Sequence, residues 1–417
     1  MKRFFFPLLL SICYLASYSQ QTKVLFIGNS YTYVNDLPQL LKNLALSFGD
    51  TIYTDQYTPG GYQFNQHAVD ATTLSKIASL NWDYVVLQEQ SQKPSFPPTQ
   101  VQSDVYPYAT ILNNAIKTNS ACTETVFYMT WGRKNGDASN CSFYPPLCTY
   151  EGMQQRLRES YMEMSATNLA TTSPVGVAWK NFRDTYPTVE LYSADESHPS
   201  LHGSYLAACV FYATLYQKSS IGSSYIPAGI SANDALNIQT IATNTVLDSL
   251  DLWRINANLP VADFSYAGNE TINFTNTSIN GVSYSWNFGD GNSSTLENPT
   301  NNYTSNGNFT VELITYSTDS CFSDTITKNI DVISAGINDK LNSPYFQIYP
   351  NPSTAFITIH TEVNYTSVDI IDVTGKVVKS FSKTMNSINI SSLKNGVYFI
   401  QVFDNSTRIK TVKWIKQ

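Results

Sequence analysis

Val24-Leu-Phe-Ile-Gly-Asn-Ser-Tyr-Thr-Tyr33 is the stretch that decides how the first half of the chain reads. Val24 to Ile27 are an unbroken apolar run with β-branched residues at both ends, the pattern of a strand covered on both faces. Gly28 permits a sharp turn and Asn29 tolerates unusual backbone angles. Ser30 then falls at the strand's carboxyl end, where open α/β sheets carry their chemistry. Leu37, Leu40, Leu41, Leu44 and Phe48 follow at helical spacing, so a helix is expected to pack back onto the sheet. A serine so placed is a candidate nucleophile; the plain alternative is that Ser30 caps the segment after it.

Outward from this stretch, apolar runs alternate with helical patterns over 21–258. Strands are expected at Val24–Ile27, Ile52–Tyr57, Tyr84–Leu87, Val126–Met129 and Val175–Ala178, and the clearest helices at Ser204–Tyr216 and Ala232–Leu250. Such alternation predicts an α/β domain with a parallel sheet and helices on both faces. Near Pro260 helical spacing stops. Short alternating stretches between Asn/Gly/Ser turns, such as Ile272-Asn-Phe274 and Phe309-Thr-Val-Glu-Leu313, predict a small all-β sandwich over 260–334. A linker (335–344) and a second small all-β domain (345–417) complete the chain.

Residues 1–19 read as a signal peptide. Lys2 and Arg3 precede an apolar run from Phe4 to Leu15, with Ser17 and Ser19 as small residues near a cleavage point. A secreted or outer-surface location is therefore expected, where disulfides are allowed. Beyond the leader stand Cys122, Cys141, Cys148, Cys209 and Cys321. Cys141 and Cys148 flank a short loop and are the expected pair, whereas Cys209 lies in an apolar helical run and reads as a buried free thiol. The net charge is −7 and no basic patch is present, which argues against a nucleic-acid partner.

An activated serine needs a base, a group that orients the base, and donors for the oxyanion. The four histidines make the search short. His360 lies in the last β segment, remote in sequence from Ser30, and His67 in a polar stretch soon after Gly60-Gly61, whereas Asp195 precedes His198 by three residues in "YSADESHPSLHGSYLAA". A carboxylate at that spacing can reach the imidazole and fix its tautomer. Asp195, Glu196, His198 and His202 also invite a metal reading, but Pro199 drives His198 from the α region, so the two histidines should not share a helix face. Neither a metal nor a cofactor is expected. Gly60 or Gly61, after the second strand, suits a backbone oxyanion donor, and "VVLQEQS" offers Gln88 or Gln90 as a side-chain donor. The long polar loop from Trp131 to Tyr150 should overhang the same sheet edge, with Trp131 and Arg133 as substrate contacts, or else serve as a lid held by the Cys141–Cys148 bridge.

In this order, these blocks resemble the SGNH (GDSL-like) hydrolase superfamily. "FIGNSYTY" is similar to its nucleophile block, "PGGY" to its glycine block, and "DESHPSLHGSYLAA" to its Asp-x-x-His block. The resemblance implies a flavodoxin-like three-layer α/β/α domain and metal-free ester hydrolysis. Ser30 would be the nucleophile, His198 the base and Asp195 its partner. The Ser30 N–H, the Gly60 or Gly61 N–H and Gln88, with Gln90 as rival, would hold the oxyanion. The family's Gly-x-Asn-Asp block is replaced here by "QEQS". That departure resembles carbohydrate-esterase branches and moves the expected substrate towards acetylated polysaccharide; acyl lipids, or a non-catalytic surface role in carbohydrate or protein binding, are the alternatives. "YSWNFGDGNSS" resembles a PKD domain, in which Trp286 reads as core. "QIYPNPS", "VDIIDVTGKVV" and "LKNGVYFIQV" are similar to the C-terminal sorting domain of the type IX secretion system, which implies that secretion machinery as a partner.

Overall fold

The computed structural model describes residues 21–318, 320–333, 346–361, 364–382, 387–405 and 407–417; the expected signal peptide and the whole of the expected linker lie outside them. It divides into two compact units, one running through Ile333 and one from Ser334.

The first unit begins with five parallel strands: Thr22–Ile27 (β1), Ile52–Tyr57 (β2), Tyr84–Leu87 (β3), Glu124–Tyr128 (β4) and Thr171–Ser173 (β5). Their order is β2-β1-β3-β4-β5, the flavodoxin-like arrangement whose switch point lies between β1 and β3. Val24 to Ile27, Val85 to Leu87 and Val126 to Tyr128 are fully buried, as central strands covered on both faces must be. The helices are α1 (Ser30–Tyr33), α2 (Leu37–Ser47), α3 (Phe64–His67), α4 (Ala71–Ala78), α5 (Pro98–Asp104), α6 (Tyr106–Asn119), α7 (Tyr150–Thr167), α8 (Val175–Thr185), α9 (Leu201–Tyr216) and α10 (Ala232–Leu247). Helices α2, α8, α9 and α10 pack together on one face, while α3, α4, α6 and α7 occupy the other. The result is a three-layer α/β/α domain with its core around β1 and α9.

One expected strand is wrong. Val175–Ala178 opens α8, and the fifth strand is Thr171–Ser173. A short apolar run reads alike as strand or buried helix. Gly176 decides the matter locally, because a Cβ there would stand 2.1 Å from the Thr130 carbonyl oxygen, so only glycine lets the helix start this close to the chain beyond β4.

Beyond Pro260 the same unit holds a sandwich of two sheets, one from Phe264–Gly268, Thr271–Asn276 and Thr300–Asn302, the other from Ser283–Asn287, Ser293–Ser294, Gly307–Tyr316 and Ser323–Val332. Phe264, Phe274, Trp286, Val311, Leu313 and Ile330 fill it, and Trp286 is core, its indole N–H donating to the Leu296 carbonyl. The second unit is likewise two antiparallel sheets around Ile357, Ile370, Ile400, Val402 and Trp414.

Among the described residues two disulfides form. Cys141 pairs with Cys148 and Cys209 is a buried free thiol, as the loop and helix patterns indicate; Cys122 pairs with Cys321, 199 residues away. This second bridge bolts the sandwich to the α/β domain. Asn280 already ties the sandwich back through hydrogen bonds to the Ala257 and Leu259 carbonyls, so the bridge restrains less than its loop length suggests. Replacing Cys122 and Cys321 by serine should cost the sandwich about 2 kcal/mol, at the low end for disulfides. Calorimetry should show its transition several degrees lower; an unchanged transition would mean the bridge adds nothing.

Candidate active site

Strand β1 delivers the chain to the switch point, where Asn29 caps the short α1. Its Oδ1 accepts from the Tyr31 N–H (3.1 Å) and its Nδ2 donates to the Tyr62 carbonyl (2.9 Å). The glycine before it is required for space. A Cβ on Gly28 would stand 2.6 Å from Gln88 Oε1 and 2.9 Å from Thr32 Oγ1. Ser30 is thereby set at the first position of α1 with its hydroxyl partly exposed.

His198 Nε2 lies 2.7 Å from Ser30 Oγ. Its Nδ1 bonds to Asp195 Oδ2, while Asp195 Oδ1 accepts from the N–H groups of Ser197 (3.1 Å) and His198 (2.9 Å). Burial works against the Asp195 charge, but the bonds from the His198 ring and the two backbone N–H groups outweigh it and hold the carboxyl below its usual range. Asp195 therefore stays ionised at neutral pH and can orient the ring and stabilise its protonated form.

The loop that carries His198 is clamped on several sides. The Tyr31 hydroxyl is 2.7 Å from Ser197 Oγ, Trp131 Nε1 donates to the Ser197 carbonyl (3.1 Å), and Asn35 Nδ2 donates to the Pro199 carbonyl (3.1 Å). Tyr31 stacks on Trp131 at 4.7 Å, and Trp131 on Trp179 at 3.8 Å. Glu196, in the left-handed region at φ 61, is held by a bond from the Lys134 N–H to its carbonyl and one from Asn135 Nδ2 to its carboxylate. The aromatic stack is thus a rigid wall behind the base.

Several expected roles change. Trp131 is fully buried with a ring on each face, so it offers no surface to a substrate and supports the catalytic loop instead. Gln88 is also fully buried. Its Oε1 accepts from the Asn29 N–H (2.8 Å) and Thr32 Oγ1 (3.0 Å), and its Nε2 donates to the Glu89 carbonyl. It is a strut between the β1 and β3 turns, not an oxyanion donor. Gln90 folds onto its own loop, its Oε1 accepting from the Gln92 N–H (2.9 Å) and its Nε2 at 3.3 Å from Ser91 Oγ. Arg133 pairs with the buried Asp137 (3.3 Å), which also accepts from Gln92 Nε2 (2.6 Å), so the loop after β4 is tied to the loop after β3. His67 is buried in the core, bonded to the Gly28 carbonyl and Thr73, and burial pushes its pKa down. His202 points to Asp234 of α10 at 3.8 Å, away from His198's partners.

Gly60 and Gly61 stand beside the nucleophile turn through the Asn29–Tyr62 bond, and Gly61 is left-handed at φ 73. Among the described residues, none accepts a hydrogen bond from the N–H of Ser30, Gly60 or Gly61. Glu89 ties this loop down from behind: its carboxylate accepts from the Phe64 N–H (3.0 Å) and the Gln90 N–H (2.5 Å). Sequence reading missed Tyr31, Asn35, Trp179 and Ser197 as supports. Tyr31 and Ser197 sit inside recognisable blocks; Asn35 and Trp179 act through contacts formed by folding.

Comparison with solved structures finds similarity over the α/β domain. A DUF4886 family protein from Bacteroides uniformis is 20% identical over 54% of this chain and 95% of its own, with a TM-score of 0.47. A candidate SGNH hydrolase from Slackia heliotrinireducens is 28% identical over 47% of this chain and 99% of its own, with a TM-score of 0.39. The PKD1 domain of the Vibrio cholerae metalloprotease PrtV is 36% identical over 18% of this chain and 99% of its own, with a TM-score of 0.18. No curated protein matches. Family descriptions match two segments: "PKD domain" at residues 258–332 and "Secretion system C-terminal sorting domain" at residues 347–417. After its α/β domain the chain therefore carries a PKD domain and a secretion system C-terminal sorting domain.

Proposed function

We propose that this protein is an exported serine esterase that removes acetyl groups from polysaccharide. The observation that carries the reading is the 2.7 Å contact between His198 Nε2 and Ser30 Oγ, with Asp195 on the far ring nitrogen. Ser30 Oγ attacks the ester carbonyl carbon while its proton passes to His198. The oxyanion is met by the Ser30 N–H and by the N–H of Gly60 or Gly61, none of which has another acceptor among the described residues. Collapse of the tetrahedral adduct breaks the bond to the sugar oxygen, which takes the proton from His198 and leaves as the alcohol. Water then loses a proton to His198 and attacks the acyl-serine; the carboxylic acid departs and Ser30 recovers its proton. Asp195 keeps the same nitrogen of the ring protonated throughout.

The site's openness supports a small acyl group on a large carrier. The His198 and Asp195 side chains are 35% and 49% exposed, so the groups sit on a rim a polymer can reach. The sorting domain supports export to the cell surface or beyond, with the secretion machinery as partner. We expect acetate release from acetylated xylan, unaffected by a chelator and abolished by a serine-directed phosphonate. Cleavage of long-chain acyl esters in preference to acetyl esters would move the substrate to lipids. Release that persists after phosphonate treatment would overturn the serine mechanism.

A further inference from the structure

A cavity of about 550 Å³ opens between the α/β domain and the PKD domain, within the range of small-molecule sites. Its α/β wall includes Tyr84, Glu124 and Thr171, the first residues of β3, β4 and β5. It therefore lies at the sheet's amino edge. Ser30 follows the carboxyl end of β1, and Gln88, four residues after Tyr84, buttresses that turn. The two rims are separated by at least the length of β3, roughly 13 Å at 3.3 Å per residue.

We propose that this cleft binds one neutral sugar unit of a polysaccharide and so holds the polymer while its acetyl esters are cut at the other rim. The cleft is two-faced, as a sugar is. Leu169, Val282 and Phe322 line it with large apolar surface that the fold leaves exposed, at 63%, 56% and 39%. Leu169 comes from the α/β domain and the other two from the sandwich, so they form opposing jaws for the C–H face of a pyranose. Arg254 lines the cleft with its guanidinium bonded to Asn258 (3.2 Å), and one carboxylate has unused capacity. Glu124 accepts from Thr171 through one carboxylate oxygen, leaving the other 3.9 Å from Lys117. A carboxylate oxygen welcomes a hydroxyl donor, and a sugar hydroxyl supplies it. Lys117 and Arg254 against Glu124 leave the lining one net positive charge, while the uncharged amides of Asn168, Gln217 and Asn256 suit the hydroxyls of a neutral sugar. The cleft is also preorganised, because Cys122 and Cys321 are bonded and Phe322 is the next residue after Cys321. Ordering the jaws in advance lowers the entropy lost on binding.

The choice of polymer rests on the proposed esterase function, but the binding does not. Xylohexaose and cellohexaose, which carry no ester, are titrated calorimetrically into the full chain. At least one should bind with a Kd below about 1 mM. Val282→Trp, which fills the cleft from an exposed position, and Phe322→Ala, which removes a jaw, should each weaken it at least tenfold, with p-nitrophenyl acetate hydrolysis unchanged. Failure of both sugars to bind, tighter binding of hexagalacturonate than of either, or binding that survives both substitutions would each overturn the proposal. The catalytic reading fails separately, if the ester assay shows no activity that depends on Ser30.

Discussion

Ser30→Ala should lower kcat for p-nitrophenyl acetate by about 10³-fold to 10⁵-fold while leaving the thermal midpoint within a degree of the parent. The loss is large because the hydroxyl is the attacking atom, and no neighbouring group replaces it: Thr32 Oγ1 is committed to Gln88 and Ser197 Oγ to Tyr31. It stays finite because the oxyanion donors are backbone groups that survive the substitution. Stability is spared because the Ser30 side chain is bonded only to His198, at a partly exposed rim. His198→Ala should cost a similar factor, and the double variant no more than either alone, since the two act as a unit. Losses that multiplied in the double variant would show that the residues do not share one step. Equal rates in parent and Ser30→Ala would end the esterase reading.

The parts of this protein that could be read in advance are those whose information is local. Val24 to Ile27 announce a buried strand by composition, Ser30 sits on the turn that ends it, and Asp195 and His198 are three residues apart, so one loop carries both. The parts that could not be read depend on partners distant in sequence. Whether Gln88 faces the substrate or the Gly28 turn is decided by the adjacent strand, 59 residues earlier. Trp131 follows a strand at the catalytic edge, which is compatible with substrate contact, until Tyr31 and Trp179 cover its two faces. Cys122 and Cys321 have no spacing signal, because their approach waits on the docking of a separately patterned sandwich. Val175–Ala178 is ambiguous for a different reason: four apolar residues are too few to show a period, and a backbone contact at Gly176 settles it.

Glu89→Ala should destabilise the α/β domain by about 4 kcal/mol at pH 5, with a smaller deficit at pH 8. Glu89 is 1% exposed, and its carboxyl group is the acceptor for the Phe64 and Gln90 N–H groups. Truncation strands both donors, at about 1–3 kcal/mol for each buried unsatisfied group, and leaves a void besides. The pH dependence follows from burial, which pushes the Glu89 pKa up to about 8 against the opposing pull of those two N–H groups. An unfolded chain gives up this proton near pH 4.5, whereas the fold keeps it to about 8. The contribution of Glu89 is therefore full below pH 4.5, declines as pH rises through that window, and levels off above 8. A shift of this size is worth a few kcal/mol across the window, on the order of 1.4 kcal/mol per unit. Alanine cannot titrate, so subtracting its urea-unfolding curve from the parent's at each pH isolates this residue from Asp195, Glu124 and His67. A deficit constant from pH 5 to pH 9 would show that Glu89 is ionised in the fold throughout. Activity should fall with stability but for its own reason. Phe64 begins the helix just after Gly60 and Gly61, so releasing its N–H loosens the loop that offers the oxyanion donor. That predicts about a tenfold loss in kcat with KM little changed for folded Glu89→Ala, since a donor displaced by a fraction of an ångström weakens transition-state binding more than substrate binding.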